Sequence, residues 1–237
     1  MRFLFALVLV LCAACAPSEP RRPEPSSLDL APLYRATLVV LSQEGRPLCG
    51  AVRVAPRLAA TAYHCAVAAA VPDDRLDELD GQAWRDLDVR GAIVNFSGYE
   101  SWQAVEGSPR PVDTLEAIVA EGDPLADVAV VSVPRSPHWV DLRVGAPSAG
   151  EPVASVHHAF GLIYTYSRGR VSRPGRAVVF QDERTTVLQL SIGWGPGSSG
   201  SGAFDRRGRL VGISHTTVGT TGVGLAAPPS TIRPLLR

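Results

Sequence analysis

Three separated side chains in this sequence suit one reaction. They are His64 in Thr61-Ala62-Tyr63-His64-Cys65, Asp127 in Ala126-Asp127-Val128-Ala129-Val130, and Ser199 in Gly197-Ser198-Ser199-Gly200-Ser201-Gly202. The reaction is acyl transfer. A serine hydroxyl keeps its proton at neutral pH and is a weak nucleophile until a neighbouring imidazole takes that proton. A buried carboxylate then holds the imidazole in the required tautomer. The glycines around Ser199 permit a sharp turn that aims backbone N–H groups at the oxygen that becomes negative. Rival groups fit less well. Asp123 precedes Pro124 in a turn, whereas Asp127 opens an apolar run, and neither Ser198 nor Ser201 has the Gly-x-Ser-Gly setting of Ser199.

The ordered set resembles the trypsin/chymotrypsin-like serine proteases, in particular the bacterial branch with the glutamyl endopeptidases and high-temperature-requirement proteases. Thr61 to Cys65 is similar to that family's TAAHC, with Tyr63 for the second alanine. Asp127-Val128-Ala129-Val130-Val131 is similar to its DIALL strand, and Gly197-Ser198-Ser199-Gly200-Ser201 to its G-[DN]-S-G-[GS]. The run Gly222-Val223-Gly224-Leu225-Ala226-Ala227-Pro228 also resembles the bacterial branch, so the likeness covers roughly residues 36 to 230. An α/β-hydrolase is the rival enzyme class. It expects Gly-x-Ser-x-Gly and the order Ser, Asp, His; here Ser201 replaces the second glycine and the order is His, Asp, Ser.

The resemblance implies an exported serine endopeptidase acting on polypeptides through an acyl-enzyme, with His64 as base, Asp127 as its orienting acid and Ser199 as nucleophile. It places the oxyanion hole on the N–H groups of Gly197 and Ser199, and implies no cofactor. Ser198 stands where the animal digestive enzymes carry an aspartate, so activation by an ion pair to a new N-terminus is not expected. Gly193 falls where an aspartate would mark cleavage after Arg or Lys. Gly193, Gly195 and Gly224 together suggest a small-walled pocket for a small or apolar P1 residue. His215 with Thr216 and Thr217 offers the alternative of an acidic P1. A second reading of the whole chain is a catalytically silent binding module with the same fold.

The elements that must position these groups read as β-structure. Ala36–Leu41, Gly50–Val54, Val128–Val133, Pro152–Val156, Gly169–Ser172, Ala177–Phe180, Thr186–Leu190 and Leu210–Ser214 are short β-rich runs with turn residues between them. Helical periodicity is confined to Pro72–Leu79 and the tail Ser230–Leu236. Many short strands suggest an all-β sandwich or barrel. The resemblance makes this two six-stranded antiparallel chymotrypsin-like β-barrels with a short C-terminal helix, the first over residues 32–140 and the second over 141–237. Residues 72–113, with Trp84 and Trp102, read as loops rimming the cleft, the tryptophans as packing.

Composition bounds the partners. Twenty-three basic and 23 acidic residues balance, every one of the former is arginine, and nothing argues for nucleic acid. Arg2, the apolar Phe3–Leu11 and the small residues Cys12-Ala13-Ala14-Cys15 read as a bacterial secretory signal over residues 1–15. Ala13-Ala14-Cys15 resembles a lipobox, which implies lipidation of Cys15, membrane attachment and a periplasmic or outer-surface location. Ordinary cleavage at Ala14-Cys15-Ala16 and release as a secreted protein is the alternative. Residues 16–31, with Pro17, Pro20, Pro23 and Pro25, read as a disordered tether for a domain over residues 32–237. Cys49 and Cys65 remain as an even pair in an oxidising compartment and read as a disulfide, in the place where the family bridges the strand before the histidine. His157-His158 invites a metal, but adjacent strand residues face opposite ways, and they read as structural.

Overall fold

The computed structural model describes residues 28–78, 83–103, 111–180, 183–219 and 221–237. The signal segment, Cys15 and residues 16–27 of the expected tether lie outside the described residues. Leu28 and Leu30, just before the first helix, pack against a buried core cluster.

Two closed antiparallel barrels of six strands each make the fold, as the sequence predicts. In the first, β1 (Thr37–Leu41), β2 (Pro47–Ala55), β3 (Leu58–Thr61), β4 (Ile93–Gly98), β5 (Leu115–Asp123) and β6 (Val128–Ser132) close in the order β1-β2-β3-β6-β5-β4. The period-2 alternation of strands explains how. On β1, Leu38 and Val40 point into the barrel core, whereas Val39 and Leu41 join a second cluster that includes residues of both barrels. On β6, Ala129 and Val131 likewise face the barrel core, while Val128 and Val130 face the shared cluster. Both faces of these strands are buried, so the runs read as continuously apolar.

The second barrel comprises β7 (Pro152–His157), β8 (Thr165–Phe180), β9 (Glu183–Ser191), β10 (Gly202–Phe204), β11 (Leu210–Thr217) and β12 (Val223–Ala227). Its core is built from Val153, Val171, Leu188, Leu190, Val211 and their neighbours. The two predicted runs 169–172 and 177–180 are one long strand, β8. Its pairing with β9 shifts register between Val171 and Arg173 and again between Arg173 and Arg176. Pro174 cannot donate to the ladder, and bulges accommodate it without ending the strand.

Four short α-helices occur among the described residues: α1 (Ala31–Ala36), α2 (Tyr63–Ala70), α3 (Tyr99–Gln103) and α4 (Pro229–Ile232), the last continued by a 3-10 turn at Arg233–Leu236. Ile232 is fully buried in the cluster shared by the barrels. Burying a side chain of that size is worth about 1.5–3 kcal/mol, so the tail clasps the two halves together.

Residues 72–113 correct the expectation of loops alone. They contribute β4, whose Val94 and Phe96 alternate into the first core between Asn95 and Ser97. The expected helix near Pro72 is a 3-10 turn over Asp73–Glu78. Helix α2 was not expected; Ala66-Val67-Ala68-Ala69-Ala70 favours it. Trp102 is buried as packing in the shared cluster.

Candidate active site

His64 sits in the first turn of α2, where Ala62 is still extended and the helix begins at Tyr63. Cys65 is bonded to Cys49 of β2, as the sequence predicts, with 6.0 Å between their Cα atoms. Asp127 ends the turn between β5 and β6 and is buried. Among the described residues it is one of three non-glycine residues with positive φ, at 51°, a conformation that costs energy and recurs at functional sites. Asp123 is the device that shapes this turn: its Oδ1 accepts the N–H groups of Leu125 and Ala126, both at 3.0 Å. Of the two acids, then, one makes the turn and the other points to the histidine.

The Asp127 carboxylate grips His64 twice. Oδ1 accepts the backbone N–H at 3.0 Å, and Oδ2 lies 2.8 Å from ring Nδ1. An anionic acceptor there places the proton on Nδ1 and leaves Nε2 bare, the tautomer a general base needs. Burial alone would lower the His64 pKa. The charge of Asp127 and its hydrogen bond outweigh burial and the opposing Arg85, so the pKa is raised. The Trp84 ring stands 5.6 Å from the imidazole, and the Arg85 guanidinium lies over the Trp84 ring at 4.7 Å. Nothing in the spacing of Trp84 signalled that it shields His64.

Ser199 lies in a loop fixed on all sides. Its carbonyl accepts the N–H of Gly50 at 2.7 Å, Gly200 donates to Ser214 at 2.6 Å, and Phe160 donates to the carbonyl of Pro196 at 2.7 Å. Gly197 has φ of 88°, in the left-handed region that a side chain resists. Among the described residues, the N–H groups of Gly197 and Ser199 make no hydrogen bond within the protein. The Ser199 hydroxyl donates to the carbonyl of His215 at 3.3 Å and makes no hydrogen bond to His64. Ser198 is buried, its Oγ accepting from Gly195 N–H at 3.1 Å and lying 3.4 Å from Nδ1 of His157. Ser201 is fully buried as well. Neither rival hydroxyl competes for a substrate.

A family model for the trypsin-like peptidase domain matches residues 49–213, which include all three residues. The chain belongs to the trypsin-like peptidase domain family. Serine protease HTRA2 of Bos taurus is 28% identical over 130 residues, 52% of this chain and 28% of that protein. The putative serine protease HhoA of Synechocystis is 29% identical over 154 residues, 58% of this chain and 39% of that protein. Periplasmic serine endoprotease DegP of Salmonella typhimurium is 24% identical over 128 residues, 51% of this chain and 27% of that protein. The match thus spans between about a quarter and two-fifths of these relatives. Among solved structures, Rv3671c of M. tuberculosis H37Rv superposes with a TM-score of 0.64 at 16% identity, over 91% of this chain and 93% of that one. The serine endoprotease from Yersinia pestis gives 0.62 at 19%, over 88% and 65%. At such identities the likeness shows the fold.

In this trypsin-like domain the expected specificity residues are placed unevenly. Gly193 is exposed. Gly195 and Gly224 leave no room for a side chain: a Cβ would come within 2.5 Å of the Phe160 ring and 2.4 Å of the Trp194 ring. Thr216 is exposed, but His215 is turned inward, buried, with Nδ1 3.6 Å from Oδ2 of Asp127. Its imidazole faces the Asp127 carboxylate rather than the exposed surface at Thr216.

Both other expected structural histidines are buried in the trypsin-like fold. His157 Nδ1 accepts Ala159 N–H at 3.3 Å, and Nε2 lies 2.8 Å from Ser167 Oγ. His158 Nδ1 accepts Tyr164 N–H at 3.0 Å, and Nε2 lies 3.2 Å from the Leu38 carbonyl. All four ring nitrogens thus have protein partners. Cys49, His64 and Cys65 bring ligand-type atoms within 4.8 Å of one another. The two sulfurs are joined, so no thiolate is available to a metal.

Proposed function

We propose that this trypsin-like domain is an exported serine endopeptidase. The observation that carries the proposal is the double grip of Asp127 on His64, which orients the ring and fixes its tautomer. In the reaction, Ser199 Oγ turns from His215, gives its proton to Nε2 of His64 and bonds to the scissile carbonyl carbon. The oxygen that becomes negative is received by the N–H groups of Gly197 and Ser199, where one donor is worth about 3 kcal/mol in other enzymes. Collapse of the tetrahedral species breaks the C–N bond, and the amine leaves with the proton from His64. Water then repeats the sequence on the acyl-enzyme, with His64 again as base, and frees Ser199.

The substrate is a polypeptide with a small or apolar P1 residue, because Gly193 brings no charge and His215 faces inward. A P1-randomised peptide library tests that preference. Residues 1–15 act as a lipoprotein signal, Cys15 carries lipid, and residues 16–27 tether to a membrane a domain that begins with the packed Leu28 and Leu30. Relatives named as periplasmic support export. Among the described residues no helix is long and apolar enough to cross a membrane. Loss of detergent partitioning in Cys15→Ala supports the anchor, and unchanged partitioning refutes it.

A second reading, a silent binding module, is favoured by one observation: the Ser199 hydroxyl rests on the His215 carbonyl. Labelling with a fluorophosphonate separates the two. The peptidase is labelled, and Ser199→Ala abolishes the label while leaving the thermal melt in place. A wild-type chain that takes no label is the binding module.

A further inference from the structure

A groove of about 860 Å³ opens on the second barrel, and none of His64, Asp127 and Ser199 lines it. The register of three strands builds it. Ala154 of β7 stands opposite Arg168 of β8 on one side and Phe204 of β10 on the other, and Pro152 stands opposite Arg170. Cross-strand partners share a face, and so do residues two apart on one strand. Val153, between Pro152 and Ala154, belongs to the core of the second barrel, so the other five face outward. The short side chains on β7 leave the floor low. Arg168 and Arg170 rise on the β8 side, and Arg206 and Arg207 of the β10–β11 turn rise on the other.

The charge left in the groove is positive. Asp205 is the one acid in its lining, and Arg209 at 2.7 Å and Arg143 at 3.5 Å already neutralise it. Its Oδ1 also fixes the turn, accepting the backbone N–H groups of Arg207 at 2.9 Å and Arg209 at 3.1 Å. Arg170 donates to the Gly150 carbonyl at 2.8 Å, a neutral partner that props the side chain up and leaves its charge. Arg170, Arg206 and Arg207 are exposed and make no ion pair among the described residues. Arg168 adds to the rim, its Nε donating to the Tyr166 hydroxyl at 2.8 Å. Asp29, next in the chain to Leu28, subtracts at most one charge.

Leu28 decides the partner. It lines this same groove, so the chain that runs back to Cys15 leaves the folded domain there. Thirteen steps (28 − 15) separate the two residues, a reach of at most about 45 Å. A lipid on Cys15 therefore keeps the mouth of the groove within that distance of a bilayer. We propose that the groove is a docking site for the phosphate headgroups of anionic lipid, which turns the β10-β7-β8 face of the anchored domain to the membrane. The inference rests on the lipid-anchor reading. Arginine forks match phosphate oxygens in pairs and give up their water readily. The apolar floor of Pro152, Ala154 and Phe204 suits the glycerol carbons behind the phosphate. An acidic polypeptide would match the charge, but only the membrane lies at the far end of the segment that starts in the groove.

The test is footprinting of arginines with phenylglyoxal, read by mass spectrometry on the processed full-length chain mixed with vesicles. One set of vesicles is phosphatidylcholine alone, and the other adds phosphatidylglycerol. Modification of Arg170, Arg206 and Arg207 should slow at least about fivefold on the anionic vesicles, the affinity that one arginine adds at such a surface. The exposed Arg57, in the β2–β3 turn of the first barrel, should react alike on both. Salt at about 0.5 M, where the Debye length is near 4 Å, should restore the rates. In Arg206→Gln/Arg207→Gln the rate at Arg170 should come within about twofold of its value on neutral vesicles. The turn survives that change, because Arg207 donates to Asp205 through its backbone.

Equal rates for the three arginines on the two kinds of vesicle overturn the proposal, and so does protection of Arg170 that the double variant leaves in place. Protection by soluble poly-glutamate with none by phosphatidylglycerol also overturns it, and gives the groove to an acidic polypeptide. The anchor is judged apart. Flotation with phosphatidylcholine vesicles depends on the lipid and not on the arginines, since that surface carries no net charge. A chain that does not float there ends the anchor reading, while the footprint on anionic vesicles still judges the groove.

Discussion

The backbone N–H of Gly50 donates to the carbonyl of Ser199 at 2.7 Å, so a strand of the first barrel holds the Ser199 loop of the second. The approach is close enough that side chains are excluded on both sides. A Cβ on Gly50 would meet Ser201 Oγ at 2.2 Å and its backbone at 3.0 Å, and a Cβ on Gly200 would meet the Gly50 carbonyl at 2.0 Å. Gly50→Ala is expected to destabilise by about 1–3 kcal/mol. It should also slow fluorophosphonate labelling at least tenfold, because the loop must shift. Urea melts and labelling rates check this, and labelling at the wild-type rate would refute it.

The raised pKa of His64 sets the activity profile. The base works only when neutral, so the acid limb of kcat/KM should lie above the ordinary histidine value of about 6.5. The same group stabilises the fold fully below that value and loses this contribution as pH rises through the folded pKa. Asp127→Asn should lower kcat by about 10⁴ through loss of the tautomer control. An acid limb of the wild type below pH 6 would contradict the assignment.

His157 and His158 have the opposite sign. Burial lowers the His157 pKa to about 4, and burial lowers that of His158 to about 3, against a smaller upward pull from the Leu38 carbonyl. The unfolded chain takes up these protons near 6.5, whereas the folded one refuses them. Their contribution is complete above about 6.5 and is lost as pH falls towards 4 and then 3. The slope is roughly 1.4 kcal/mol per pH unit for each histidine. Urea midpoints at pH 7 and pH 5 should therefore differ clearly, and His158→Gln should shrink the difference; equal midpoints in the wild type would refute this.

Tyr63, the departure from the alanine of the TAAHC motif, has a matching gap across the barrel. A Cβ on Gly122 of β5 would lie 2.5 Å from the Tyr63 ring, and the Tyr63 hydroxyl donates to the Leu87 carbonyl at 2.5 Å. Gly122→Ala alone should cost about 1–3 kcal/mol. In a Tyr63→Ala background the same change should cost close to nothing. A double-mutant cycle with a coupling below about 0.5 kcal/mol would show the two sites to be independent.

What the sequence revealed follows the range of each interaction. His64, Asp127 and Ser199 announce themselves through their immediate neighbours, as do β1 and β6 through unbroken apolar runs. Strand β10 is only Gly202-Ala203-Phe204, and β3 is half alanine, so neither carries a β pattern of its own; barrel closure makes them strands. The inward turn of His215 depends on a slip against β12, a property of two strands at once. For that reason the pattern around Thr216 suggested a pocket wall, whereas the imidazole faces the carboxylate.

The bond between Cys49 and Cys65 lies one residue from Gly50, which holds the Ser199 carbonyl, and one residue from His64. The Ser199 loop and the His64 helix share one covalent anchor. The Cys49–Cys65 bond thus ties the strand that holds the Ser199 loop to the helix that carries His64.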